Sequence, residues 1–135
     1  MIIRWGAFAD FAMNTFESTA YAAGYRYVAG VDEAGRGPLA GPVVAAAVIF
    51  PPSYRNPDIN DSKVLTAHKR ERLCGVIERE ALAVGIGVAE ADVIDRINIL
   101  QATLKAMRDA VLELSFPPDF ILLDGLNRVA LEIPQ

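Results

Sequence analysis

The sequence has 135 residues, 53% of them apolar and 22% charged, enough for one folded domain and too apolar for a disordered chain. Its ten glycines and eight prolines are scattered without period, which excludes collagen-like, coiled-coil and low-complexity classes. The formal charge of −4, from 13 basic against 17 acidic residues, argues against a grip on nucleic acid by bulk positive charge. It leaves open a local basic strip, or carboxylates placed to hold metal cations.

A single cysteine, Cys74, cannot close an internal disulfide, so a stapled secreted scaffold is excluded and a reducing interior is permitted. The amino terminus carries one early positive charge, Arg4, and Asp10 interrupts it before any apolar stretch reaches signal-peptide length. The uncharged run over residues 37–52 is broken by Pro38, Gly41 and Pro42, and its unbroken apolar part covers only residues 43–50. A membrane span needs roughly 20 apolar residues. The expectation is therefore a soluble cytoplasmic protein with no membrane association.

Residues 1–24, rich in alanine and phenylalanine and without a clean period, read as a loosely attached leader, partly helical. Residues 25–135 then form the folded domain. Tyr27-Val28-Ala29-Gly30-Val31 is a continuous apolar run, the mark of a strand buried on both faces, and it is expected to end at Asp32-Glu33. Gly35-Arg36-Gly37-Pro38 turns the chain into a second strand over residues 43–50, stopped by Pro51-Pro52. Residues 57–62 are a loop by composition. Thr66 caps a helix expected to reach Ala83, with Leu73, Val76, Ile77 and Leu82 facing inward.

Val84-Gly85-Ile86-Gly87-Val88 alternates and predicts a third strand. Ala91-Asp92 opens a short helix. Ile97, Leu100, Leu104, Met107, Val111 and Leu114 then recur at helical spacing and predict the inward face of a longer one, closed off by Pro117-Pro118. Phe120-Ile121-Leu122-Leu123 is a fourth strand, again fully apolar, and it too runs into an acid, Asp124. The order is mixed α/β, one sheet with helices packed against it.

Two buried strands that each end in an acid invite a physical reading. In open α/β sheets, sites gather beyond the carboxyl ends of strands. Were these two strands adjacent and parallel, Asp32, Glu33 and Asp124 would converge, and three neighbouring carboxylates repel one another unless a cation relieves them. Oxygen donors without histidine or cysteine select Mg²⁺ or Mn²⁺ over zinc, and phosphoryl transfer is the chemistry such ions favour. Each feature alone has a plainer reading. Strand-end acids are commonly turn residues, a Gly-Arg-Gly segment is often a tight turn, and Lys69-Arg70-Glu71-Arg72 is an ordinary solvated helix face. His68 has no second ligand near it, and Cys74 fits core packing.

Taken together, the residues resemble a known pattern. Val31-Asp32-Glu33-Ala34-Gly35-Arg36-Gly37-Pro38-Leu39-Ala40-Gly41-Pro42-Val43 resembles the signature of the ribonuclease HII family, the prokaryotic type 2 ribonucleases H. The likeness extends to Asp61-Ser62-Lys63 with Leu65, to the stretch from Ile97 to Met107, and to Leu122-Leu123-Asp124-Gly125, in the family's order. It implies a ribonuclease H-like mixed sheet flanked by helices. It also implies an endoribonuclease that cuts the RNA strand of RNA–DNA hybrids, or 5′ to a ribonucleotide in DNA, with Mn²⁺ or Mg²⁺. Asp32, Glu33 and Asp124 match the family's metal-binding and catalytic acids. Gly35, Arg36 and Gly37 match the loop that approaches the ribose 2′-hydroxyl, and Lys63 matches a lysine near substrate phosphate.

The resemblance further implies that the last strand, a fourth catalytic aspartate and the C-terminal helices are missing from this sequence. The full-length family enzyme is expected to be a monomer. On that basis the apolar face of residues 120–123 and the helix stripe over residues 100–114 are expected to be underburied, at a cost on the order of 5–10 kcal/mol. The chain alone is then an impaired enzyme, or alternatively a non-catalytic remnant that binds nucleic acid or a partner protein.

Overall fold

Seven consecutive small or β-branched residues, Val43–Ile49, form a strand in which every residue is buried. Such a run satisfies its backbone only between two neighbours and under cover on both faces. It is the second strand, β2. The first, β1 (Val28–Ala34), and the third, β3 (Ala83–Ala89), flank it, and α1 (Ala91–Ile97), α2 (Ile99–Leu112) and β4 (Phe120–Leu123) follow in the chain. The computed structural model describes residues 22–34, 41–51, 75, 77–123 and 128–135.

The sheet has the order β3-β2-β1-β4. β1 runs antiparallel to β2, from Ala29 opposite Ile49 to Ala34 opposite Val44. β2 and β3 are antiparallel from Val43 opposite Ala89 to Ile49 opposite Ala83. β4 lies parallel to β1, with Val28 beside Phe120 and Val31 beside Leu123. β1 is longer than its apolar run suggests. It continues through Asp32, Glu33 and Ala34 because their backbone groups still find partners on β2.

The main core lies between the sheet and α2, where Ala29, Val31, Val43, Ala45, Ala47 and Ile49 meet Ala102, Ala106, Met107, Ala110 and Val111. The buried face of α2 differs from the expected leucine stripe. Ala102, Thr103, Ala106, Met107, Ala110 and Val111 are buried, whereas Leu100 and Leu104 are only half-buried. The cause lies in β3. A β-carbon on Gly85 would fall 3.0 Å from the Leu114 nitrogen, and one on Gly87 would fall 2.7 Å from the Ala110 nitrogen. Each would also collide with a carbonyl of α2, that of Ala110 or Ala106. The helix backbone therefore rests directly on two glycines through its alanine face; Met107, Val111 and Leu114 of the expected stripe stay in the core, and Leu100 and Leu104 turn to the margin.

Other expectations shift for equally local reasons. Ile97 belongs to α1 and is exposed, because Asn98 (φ 72°) breaks the helix there. The Asn98 side chain then caps α2 by accepting a hydrogen bond from the Gln101 N–H at 3.0 Å. Ile77 is fully buried in a helical turn, as expected, but Leu82 is 44% exposed. That helix does not reach Ala83, because the Leu82 N–H already donates to the Ile49 carbonyl at 2.7 Å and the chain enters β3. Thr66, Leu73, Val76, Cys74, His68, the loop at residues 57–62 and residues 1–21 of the expected leader lie outside the described residues.

β4 is not underburied. Ile121 is 1% and Leu122 8% exposed. The Ile121 N–H donates to the Pro134 carbonyl at 2.8 Å, and Val129, Leu131 and Ile133 pack on the same core. The Gln135 amide holds this segment in place, accepting from the Val129 N–H and donating to the Val129 carbonyl, both at 2.9 Å. Among the described residues no helix is long and apolar enough to cross a membrane.

Replacing Gly87 with alanine is expected to cost about 3 kcal/mol, read as a lower denaturant midpoint at unchanged slope. A loss below about 0.5 kcal/mol, the range of an ordinary surface change, would contradict the close seating of α2 on β3.

Candidate metal centre

β1 carries its chemistry at the end of an apolar strand. Val28, Ala29, Gly30 and Val31 are buried, and Asp32 and Glu33 follow as half-buried acids. Their partners on β2 are Ala46 and Ala45, both fully buried. A carboxylate next to such apolar neighbours is poorly hydrated, so it must be compensated by hydrogen bonds or by positive charge. One compensation is local, since the Asp32 carboxylate accepts a hydrogen bond from the Glu33 N–H at 2.8 Å.

Consecutive residues on a strand point to opposite faces. Ala29 and Val31 belong to the core under α2, and Val28 to a second cluster with Leu122. Glu33 thus shares the parity of the α2 face and Asp32 that of the Val28 face. A site using both acids has to lie at the end of the sheet, where the two faces meet.

The parallel neighbour β4 reaches the same end. Val31 and Leu123 are the last pair of the ladder, and the next residue in each segment is an aspartate. The condition on which the acids converge, that these strands be adjacent and parallel, is therefore met. Asp124, the loop residues Gly35, Arg36 and Gly37, and Lys63 all lie outside the described residues. Among the described residues no three histidine, cysteine, aspartate or glutamate side chains are grouped as a metal site. The donor set that is described, two half-buried carboxylates with no sulfur or imidazole on β1, suits a hard divalent cation.

Nothing in the sequence pattern singles out Asp119, directly after Pro117-Pro118. Its carboxylate nevertheless accepts hydrogen bonds from the Arg26 N–H at 2.9 Å and the Tyr27 N–H at 2.8 Å, and its own N–H donates to the Tyr27 carbonyl at 2.9 Å. Aromatic pairs flank these bonds, with ring centroids 4.7 Å apart for Tyr25 and Phe120 and 5.1 Å apart for Tyr27 and Phe116.

Comparison with known proteins places this arrangement. The ribonuclease HII family model matches residues 29–134. The chain belongs to the ribonuclease HII family. It is 63% identical over 123 residues to the ribonuclease HII of Syntrophus aciditrophicus, a match covering 91% of this chain and 58% of that protein. It is 60% identical over 119 residues to the ribonuclease HII of Geobacter sp. strain M21, covering 88% and 52%. The chain thus spans about half the length of these curated ribonuclease HII relatives.

Among solved structures it resembles the ribonuclease H2 of Pyrococcus horikoshii OT3, with a TM-score of 0.63 and 27% identity over 72% of this chain and 49% of that one. Bst-RNase HIII, solved in complex with Mn²⁺, shares the fold at a TM-score of 0.57 and 21% identity, over 81% and 40% of the two chains. The ribonuclease H-like mixed sheet flanked by helices is the fold of this ribonuclease HII family member.

Proposed function

We propose that residues 25–135 form the catalytic region of an endoribonuclease that hydrolyses the RNA strand of RNA–DNA hybrids and cuts 5′ to ribonucleotides embedded in DNA. Family membership supports the reading. The observation that carries it is the parallel register of β1 and β4, whose last pair, Val31 and Leu123, precedes an aspartate on each side. In the proposed site Asp32, Glu33 and Asp124 hold Mn²⁺ or Mg²⁺ through carboxylate oxygens. Such an ion, when bound, supplies Lewis-acid stabilisation of the attacking and leaving oxygens of a phosphodiester.

The remaining roles fall to the chain's own groups. Gly35 and Gly37 carry no side chain, which suits a backbone that must come close to a ribose. With Arg36 they contact the 2′-hydroxyl, the group that separates RNA from DNA. Lys63 contacts substrate phosphate. Lys69, Arg70 and Arg72 follow in the sequence and supply the basic strip that an acidic protein needs to track a phosphate backbone. The same reading has the full-length protein act as a monomer, and places it in the cytoplasm, where an unpaired cysteine is at home.

Calorimetric titration with MnCl₂ tests the cation site directly. The chain is expected to bind Mn²⁺ with a heat that Asp32→Asn abolishes, and the same substitution should lower hydrolysis of an RNA–DNA duplex by at least roughly 100-fold. Equal heats for the two proteins would refute the site. Substrate contact is tested separately: Lys69→Ala with Arg70→Ala should flatten the slope of log affinity against log salt by about 2. An unchanged slope would remove these residues from the interface.

A further inference from the structure

We propose that Asp119 is a positioning residue for the cation site, setting the register of β4 against β1 and so deciding which β4 residues lie level with Asp32. The inference rests on the site reading given above, because register matters to function only if Asp32 and Asp124 share a ligand.

The β1–β4 ladder is short and weakly specified by its own sequence. It contains four pairs, Val28 with Phe120 to Val31 with Leu123. No tight turn joins the two strands to fix their alignment, because parallel strands are linked only by long crossovers. The residues of β4, Phe-Ile-Leu-Leu, carry no polar marker. A slip of one residue would exchange the two faces, but a slip of two would keep each apolar side chain on its own face. That slip displaces one strand end relative to the other by about 6.6 Å. A cation that binds oxygens at about 2.0–2.6 Å cannot bridge carboxylates moved so far apart.

Asp119 supplies the missing specification. It precedes the first residue of β4, and its partners, Arg26 and Tyr27, precede the first residue of β1. Both carboxylate oxygens are used, each by a different backbone N–H, at 2.9 and 2.8 Å. The Asp119 N–H to Tyr27 carbonyl bond closes the contact at 2.9 Å. Two successive N–H groups meeting one carboxylate define a single alignment, and charge-assisted bonds of this kind are the strong ones. The ring contacts of Tyr25 with Phe120 and of Tyr27 with Phe116 hold the same two segments from either side. Asp119 lies four residues, about 13 Å of extended chain, from Leu123. It therefore acts through the ladder and does not touch the ion.

The test uses the whole chain and two readouts, the nuclear Overhauser contact between the Val31 and Leu123 backbones and the Mn²⁺ dissociation constant. Asp119→Ala is expected to lose or split the Val31–Leu123 contact and to weaken Mn²⁺ binding about tenfold. Asp119→Asn, which keeps one acceptor oxygen, should fall between this variant and the parent, and it serves if the alanine variant does not fold. Ile77→Val, a core change in the helical turn before β3 and outside the cluster that holds Val31 and Leu123, should leave both readouts at the parental values. An Asp119→Ala protein with the parental contact and affinity would overturn the inference, as would equal losses in Ile77→Val. If Asp32→Asn leaves Mn²⁺ binding intact, the site reading fails, and the Val31–Leu123 contact alone then decides whether Asp119 sets the register.

Discussion

The parallel pairing of β1 with β4 organises the rest of the molecule. Two strands far apart in the chain can lie parallel only if the intervening segment crosses back over the sheet, and here everything from β2 to α2 is that crossing. A parallel pair also delivers both strand ends to one side of the sheet, the place where open α/β folds build ligand sites. Had β4 paired antiparallel, Asp124 would follow the opposite end of the strand and no common site would exist. One choice of direction thus links the apolar strands to the acids that follow them.

α2 closes on the sheet through alanines because Gly85 and Gly87 present no side chains to it. Small residues on both sides let helix and strand backbones approach closely, so packing there is tight and sensitive to a single added methyl group. The seam lies on β3, at the opposite edge of the sheet from β4. The same helix also packs on Val31 and Ile121, so one core spans the sheet from this seam to the strands proposed to carry the chemistry. The C-terminal segment meets β4 itself, where the Pro134 carbonyl accepts the Ile121 N–H and Val129, Leu131 and Ile133 pack on the core that Ile121 joins.

How far this was legible in the sequence depends on where the deciding information lies. The strands at Val43–Ile49 and Phe120–Leu123 could be read directly, because full burial writes itself as an uninterrupted apolar run. The acids Asp32, Glu33 and Asp124 stand out in the sequence because they follow such runs and sit in a pattern resembling one family, and of the three only Asp32 and Glu33 are among the described residues. The buried face of α2 could be read only in part. Periodicity finds Met107, Val111 and Leu114, whereas the alanines are drawn in by two glycines on another strand. β1 runs one residue past the acids at which it was expected to end, because ladder bonding is a backbone property, indifferent to the charge of Asp32 and Glu33. Asp119 was invisible for the same non-local reason, its partners being 92 and 93 residues away.

The central claim, that β1 and β4 end at one shared cation site, is tested most directly by paramagnetic broadening. Substoichiometric Mn²⁺ added to the isotopically labelled chain is predicted to broaden the amides of Val31, Asp32, Glu33 and Leu123 together and most strongly. Leu82 and Ala83, at the opposite end of the sheet, should be affected least. Broadening that spares Leu123 while Asp32 is lost, or that centres elsewhere on the molecule, would contradict the account.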